Sequence, residues 1–118
     1  MKPSEVLRKA KALIDRPEKW FGPPTHPNGY GRNCALTALD VATNSSLMVW
    51  HPLYNVLLRE MPGSAGSIAA WNNSHTHPEV MDAFDRAIAL AEKEEGKESD
   101  SAWAKRKVAE VTRVKEAA

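Results

Sequence analysis

The sequence predicts an all-α fold: one small domain, a bundle of about five helices joined by Pro/Gly-rich loops. Its length of 118 residues is usual for a single domain. Apolar residues recur at helical spacing in several segments, and no segment alternates apolar and polar residues for long enough to indicate a sheet. A hydrophobic content of 42% and a charged content of 26% are ordinary for a globular protein and argue against wholesale disorder.

The first half of the chain predicts two helices on either side of a long loop. Apolar residues at helical spacing behind Ser4, a good N-cap residue, predict an amphipathic helix over residues 4–15. Residues 21–31 are so rich in proline and glycine that no regular element is expected there. Asn33 is expected to cap the second helix, whose small and apolar side chains, Cys34 among them, suit a buried position.

The second half predicts two further helices and a short helical turn. Residues 47–50 are apolar and are expected to form a brief extended piece, after which Pro52 starts a helix. Residues 68–71 are expected to make one helical turn. Thr76, with a glutamate three residues later, is typical of a capping box and opens a helix that reaches about Glu94.

The last helix is predicted to stand apart from a helical domain formed by residues 1–96. Gly96 breaks the helical pattern, and Asp100 or Ser101 can cap a new helix. The apolar stripe of this helix is thin and a basic run interrupts it. We therefore expect the segment 97–118 to dock loosely on the domain or to join two copies in a homodimer.

The cysteine usage and hydropathy indicate a cytoplasmic protein. Cys34 is the single cysteine, so the chain has no internal disulfide and cannot form a zinc site from thiolates alone. No apolar run approaches the roughly 20 residues of a membrane span, and the first residues lack the apolar core of a signal peptide. We expect no association with a membrane.

The charge is unevenly distributed along the chain. Residues 1–20 carry +3, residues 21–100 carry −5 and residues 101–118 carry +3, for a net charge of +1. Basic ends of this kind could grip a polyanion, but solvated helix faces that complement one another explain the pattern better. Binding to nucleic acid is not expected.

Cys34 is the candidate nucleophile of a Cys-His-Asn site. We expect it in the first turn of its helix, where the partial positive charge of the helix N-terminus favours a thiolate. His77 and Asn73 are the candidate base and orienting residue, chosen from His26, His51, His75, His77, Asn72 and Asn73. The alternative, which a lone cysteine in an Ala/Leu-rich helix favours, is a small buried apolar side chain.

His75 and His77 raise the question of a metal site. Two histidines spaced by one residue could project the same way from an extended chain and share a metal with Asp82 or His26. This pattern alone is a weak signal. We expect neither a metal nor another cofactor.

A ligand site is predicted where the loops 20–32 and 71–77 meet. An indole can stack on a planar group while neighbouring amides donate and accept hydrogen bonds. The candidate binding residues are Trp20, Arg32, Trp71, Asn72, Asn73, His75 and His77. The alternative is that the indoles seal the ends of a small core. The predicted function is a non-enzymatic binding or interaction module for a protein partner or a small ligand, and a hydrolase or transferase that uses Cys34 is the rival.

Several short motifs, in order, resemble an uncharacterised family of bacterial and phage proteins, DUF6197. They are Gly-Arg-Asn-Cys-Ala-Leu-Thr-Ala-Leu at 31–39, Trp-Asn-Asn at 71–73, His-Pro-Glu-Val at 77–80 and Asp-Arg-Ala-Ile at 85–88. The resemblance spans about residues 5–92. It implies a bacterial or phage source and no particular reaction.

The chain departs from the family pattern at two positions. Thr37 stands where the family tends to have glycine, and Asn73 stands where it tends to have aspartate. The second departure removes a carboxylate, so an acid/base or metal-binding role for Asn73 is not expected.

Overall fold

The computed structural model describes residues 2–20, 33–44, 46–63 and 66–117. Within these ranges the prediction of an all-α fold is confirmed, with six α-helices and no strand. The helices are α1 (Pro3–Ala12), α2 (Ala35–Ala42), α3 (Leu47–Arg59), α4 (Ile68–Ser74), α5 (His77–Glu94) and α6 (Asp100–Ala117). The sixth helix arises because the turn expected over 68–71 continues into a helix of its own. None of the described helices is long and apolar enough to cross a membrane.

One hydrophobic core joins the helices. Helix α1 packs against α5 on one side and against α2 on another, while α3 packs against α6. Leu7 of α1, Leu39 of α2, Leu57 of α3 and Phe84 of α5 are completely buried. Each such side chain contributes about 1.5–3 kcal/mol when it leaves water, so the core is the main source of stability.

The first helix begins one residue earlier than predicted and ends at Ala12 instead of residue 15. Pro3 occupies the first helical position because its fixed φ is already helical and its missing N–H would have had no partner there. Ser4 is therefore not the N-cap. It lies buried inside the first turn, and its backbone N–H donates to Glu95 Oε1 at 2.8 Å, which links the start of α1 to the end of α5.

The second helix is capped by Cys34, so the prediction that Asn33 caps it is wrong. The Cys34 Sγ accepts a hydrogen bond from the backbone N–H of Thr37 at 3.4 Å. Asn33 instead lies in extended backbone and its N–H donates to the Lys19 carbonyl oxygen at 3.0 Å. This pairing with the chain before the loop holds Asn33 outside the helix.

The expectation of an extended piece over residues 47–50 is wrong, because α3 already begins at Leu47. The backbone N–H of Trp50 donates to the Ser46 carbonyl oxygen at 2.8 Å, which is helical pairing. Pro52 is therefore inside the helix, where it removes one backbone hydrogen bond. Burial of Pro52 and of Leu53 against the core offsets that loss.

The loop expected over residues 71–77 is largely helical. Ser67 caps α4 by accepting from the Ala70 N–H at 3.1 Å, and the helix continues to Ser74. The predicted capping box is confirmed at the start of α5, where Glu79 Oε1 accepts a hydrogen bond from the backbone N–H of Thr76 at 2.9 Å. This hydrogen bond lowers the pKa of Glu79 below its ordinary value. Helix α5 ends at Glu94, as predicted.

A cluster of charged side chains holds α6 against the end of α5. Glu94 accepts from Trp103 Nε1 at 2.7 Å, from Lys107 Nζ at 2.9 Å and from Arg106 at 3.1 Å. Burial raises the pKa of Glu94, but the hydrogen bonds from Lys107 and Trp103 outweigh it and the net shift is downward. Lys107 is only 3% exposed, and Glu94 supplies a carboxylate beside its buried ammonium. The division of the chain after residue 96 stays a prediction.

Candidate functional site

Asn72 is a completely buried structural amide. It lies in α4, and its Oδ1 accepts hydrogen bonds from Trp20 Nε1 at 2.7 Å and from the Ala35 N–H at 3.0 Å. The Ala35 N–H is one of the donors at the start of α2 that the helix itself cannot satisfy. One side chain therefore ties α4 to α2 and to Trp20, which is itself buried. Asn73, next along the chain, is exposed and accepts from Asn72 Nδ2 at 3.3 Å.

Trp71 and His75 close the end of α4. The Trp71 indole is buried, and its Nε1 donates to the Pro62 carbonyl oxygen at 3.0 Å. The His75 ring stacks on this indole with 3.7 Å between the ring centroids and 14° between the planes. The His75 Nδ1 lies 2.7 Å from the Trp71 carbonyl oxygen. Because a carbonyl oxygen only accepts, this ring nitrogen carries the proton.

His77 fastens the start of α5 to the end of α1. Its Nε2 donates to the Ile14 carbonyl oxygen at 2.7 Å, and its ring lies 5.5 Å from the Trp20 ring in a tilted arrangement. His75 and His77 are thus bonded to different parts of the chain. In the described ranges, no three His, Cys, Asp or Glu side chains are grouped so as to hold a metal ion.

Cys34 is half-buried, and its sulfur is used locally. The Sγ lies 3.4 Å from both the backbone nitrogen and the Oγ1 of Thr37. The described contacts of His77 and Asn73 do not include this sulfur, so hydrogen bonding does not assemble the three candidates into a Cys-His-Asn site. Two other candidates, Arg32 and His26, lie outside the described residues.

The structure brings Trp20, Asn72 and His77 together as neighbours, and most of their polar groups point into the molecule. Trp20 contacts both of the other two side chains. Trp71, which lies in the same helix as Asn72, forms a separate pair with His75, the residue that follows this helix. Trp20, Trp71, Asn72, His75 and His77 use their polar groups in hydrogen bonds within the protein. A ligand site at the seven candidate residues stays a prediction.

A groove of about 640 Å³, which the sequence did not predict, lies between α1, α3 and α6. The apolar residues that line it are Pro3, Val6, Leu47, Met48, Val49, Pro52, Leu53, Trp103, Ala104 and Val108. Ser101 and Ala104 of α6 also line it, and Trp103 is a lining residue that is almost completely buried. In the sequence, only the apolar run 47–49 hints at this groove. The run identifies an exposed apolar surface only after its residues are placed on a helix.

One edge of the groove exposes large apolar side chains. Leu47 is 70% exposed, Met48 is 87% exposed and Val49 is 41% exposed. These three consecutive residues form the first turn of α3. A cluster of exposed apolar side chains beside a groove is typical of a binding surface, whereas isolated ones are ordinary.

Three ionisable side chains line the same groove, His51, Asp100 and Lys105, together with the hydroxyl of Ser101. Asp100 begins α6, where the partial positive charge of the helix N-terminus stabilises its carboxylate. Lys105 is exposed and forms no ion pair with the side chains that are described up to residue 109. The rim therefore carries one carboxylate at a helix N-terminus and one ammonium without an ion pair among those side chains.

The family model of DUF6197, a family of unknown function, matches residues 1–90. The chain therefore belongs to this family, and the match includes α1 to α4 and most of α5. Helix α6, which forms one wall of the groove, lies outside the matched residues. No curated protein and no solved structure matches the chain.

Proposed function

We propose that this member of a family of unknown function is a non-enzymatic binding module whose ligand site is the groove between α1, α3 and α6. The observation that carries the proposal is the exposed apolar turn of Leu47, Met48 and Val49 at the edge of an apolar groove. Apolar surface held in water is unfavourable, and a ligand that covers it would recover that free energy. Binding is therefore the activity that this surface favours.

The shape and lining of the groove suit a ligand with an apolar surface. Its volume of about 640 Å³ falls within the range that is usual for ligand sites. Its lining is mainly aliphatic, with the Trp103 indole and a few polar groups. Met48 adds a flexible and polarisable side chain that can adapt to different apolar shapes.

The residues around Trp71 support this choice of surface because their polar groups are already used. Asn72 accepts two hydrogen bonds from the protein, and His75 and His77 each bond a carbonyl oxygen. A ligand there would have to replace these bonds. The rival enzyme proposal has less support, since the Cys34 sulfur is held by Thr37 and no described histidine activates it.

A titration with Nile red, an uncharged dye that fluoresces in apolar surroundings, tests the proposal. We expect the wild-type protein to bind the dye and Met48→Glu to weaken binding roughly 10-fold, because the loss of one apolar contact is worth about 1.4 kcal/mol. Met48 is 87% exposed, so this substitution is compatible with the fold.

Val41→Glu is the matched control. Val41 is 49% exposed on α2 and does not line the groove, so the variant introduces the same charge elsewhere and is expected to leave dye binding unchanged. Thermal unfolding of both variants checks that the fold is retained. Absence of dye binding to the wild type, or equal losses in the two variants, would contradict the proposal.

A further inference from the structure

We infer that the natural occupant of the groove is an amphipathic helix of a partner protein, with an acidic residue beside its apolar stripe. This inference rests on the proposed function. It adds the class of partner and a preference for an acidic partner helix over a basic one. Three features of the groove carry it: its open side, the limited area of its exposed edge and the charge of its rim.

The open side of the groove favours an occupant that is apolar on one face only. Leu47 and Met48 stand largely in water at the edge, so the groove is a surface cleft and not an enclosed cavity. A purely apolar ligand would remain in contact with water on its outer side. An amphipathic helix would bury its apolar stripe against α3 and α6 and keep its polar face in solvent, which is a common mode of peptide recognition.

The area of the exposed edge is too small for a stable dimer of this chain. Each large apolar side chain presents on the order of 100 Å² of apolar surface that can be buried. The three side chains at the edge, Leu47, Met48 and Val49, therefore offer on the order of 300 Å². A stable interface between two globular proteins needs about 800 Å² from each partner. A single helix that enters the groove is a better match for this area.

The charge at the rim favours an acidic partner. Lys105 lines the groove, is exposed and has no ion-pair partner among the side chains that are described up to residue 109. Asp100 also lines it, but the N-terminus of α6 stabilises that carboxylate. A glutamate or aspartate next to the apolar stripe of the partner would pair with Lys105 and fix the orientation of the helix.

Two synthetic helical peptides test the inference by fluorescence anisotropy with the full chain. Both carry the same leucine stripe, but one has glutamate beside it where the other has lysine. We expect the glutamate peptide to bind about 3-fold to 10-fold more tightly at about 50 mM salt, and the difference to shrink at about 500 mM salt. Lys105→Gln should bring the two affinities close together.

Lys93→Gln is the control, because Lys93 is an exposed lysine of α5 that does not line the groove. The inference fails if the two peptides bind equally or if Lys93→Gln has the same effect as Lys105→Gln. It also fails if neither peptide binds while laurate displaces Nile red, or if ultracentrifugation shows a dimer that Met48→Glu dissociates. In those cases binding of the dye to the groove would still support the proposed function, whereas a wild-type protein that binds no dye would contradict the proposed function itself.

Discussion

Replacement of Asn72 by alanine removes the acceptor of two buried hydrogen bonds and is expected to destabilise the fold by about 3 kcal/mol. The variant leaves the Trp20 Nε1–H and the Ala35 N–H without this partner, in a region where Asn72 itself is completely buried. A buried donor without a partner costs about 1–3 kcal/mol, so two of them cost about 2–6 kcal/mol. The expected value lies toward the lower end because water can enter the space that the amide leaves.

Urea unfolding, followed by far-ultraviolet circular dichroism and by tryptophan fluorescence, measures this loss. We expect a lower midpoint with an unchanged slope, and a thermal midpoint that falls by roughly 10 °C for a domain of this size. Asn73→Ala is the matched control, since it removes an exposed amide one residue along the same helix and should cost less than about 0.5 kcal/mol.

Two results would refute the reasoning. A loss below about 1 kcal/mol in Asn72→Ala would mean that the two donors find other partners easily. Equal losses in Asn72→Ala and Asn73→Ala would mean that the buried position of the first amide has no special role.

Three further predictions concern single side chains. Thr76→Ala removes the N-cap of α5 and should cost about 1 kcal/mol in urea unfolding, while Thr76→Ser should retain most of that stability. Cys34→Ser should keep or improve the cap on the Thr37 N–H and Cys34→Ala should lose about 1 kcal/mol; equal stabilities of these two variants would speak against a capping role. Glu94→Gln removes the carboxylate that accepts from the Lys107 ammonium and should cost about 2 kcal/mol at neutral pH. Because the pKa of Glu94 is lowered in the folded state, this contribution is present above the unfolded pKa of about 4.3 and is lost as the pH falls through the folded value. The stability difference between the wild type and Glu94→Gln should therefore shrink as the pH falls below the unfolded pKa of about 4.3, and a constant difference would contradict the assignment.

The helices that the sequence predicts well are those whose signals are local. The capping box of Thr76 and the apolar face behind it place α5 correctly, because both act within a few residues of one helix. The prediction of an extended piece over residues 47–50 is wrong because proline is common at helix starts, so Pro52 was expected to begin the helix. In the structure, the helix begins at Leu47 and its following turns pack on the core. The prediction that Asn33 caps α2 is wrong because its backbone N–H donates to the Lys19 carbonyl oxygen on the other side of the long loop.

The candidate site was harder to predict from the sequence than the helices. A tryptophan, two amides and two histidines suggest a ligand site, but residue types alone do not show whether their polar groups face a ligand or the protein. Asn72 bonds to residues 52 and 37 positions away in the sequence. The groove consists of three helices that are distant in the chain, so neither periodicity nor spacing could indicate it.

The all-α class, the family and most of the helices of this protein follow from its sequence, since helical periodicity, capping and motif order are properties of neighbouring residues. The cytosolic location, the bacterial or phage source and the homodimer stay predictions. Which polar side chains bond within the protein and which surface stays open depend on the tertiary fold, because burial and hydrogen bonding depend on which helix ends meet. That is why Asn72 became part of the core, and why Met48, an ordinary residue in the sequence, stands at the edge of the proposed binding groove.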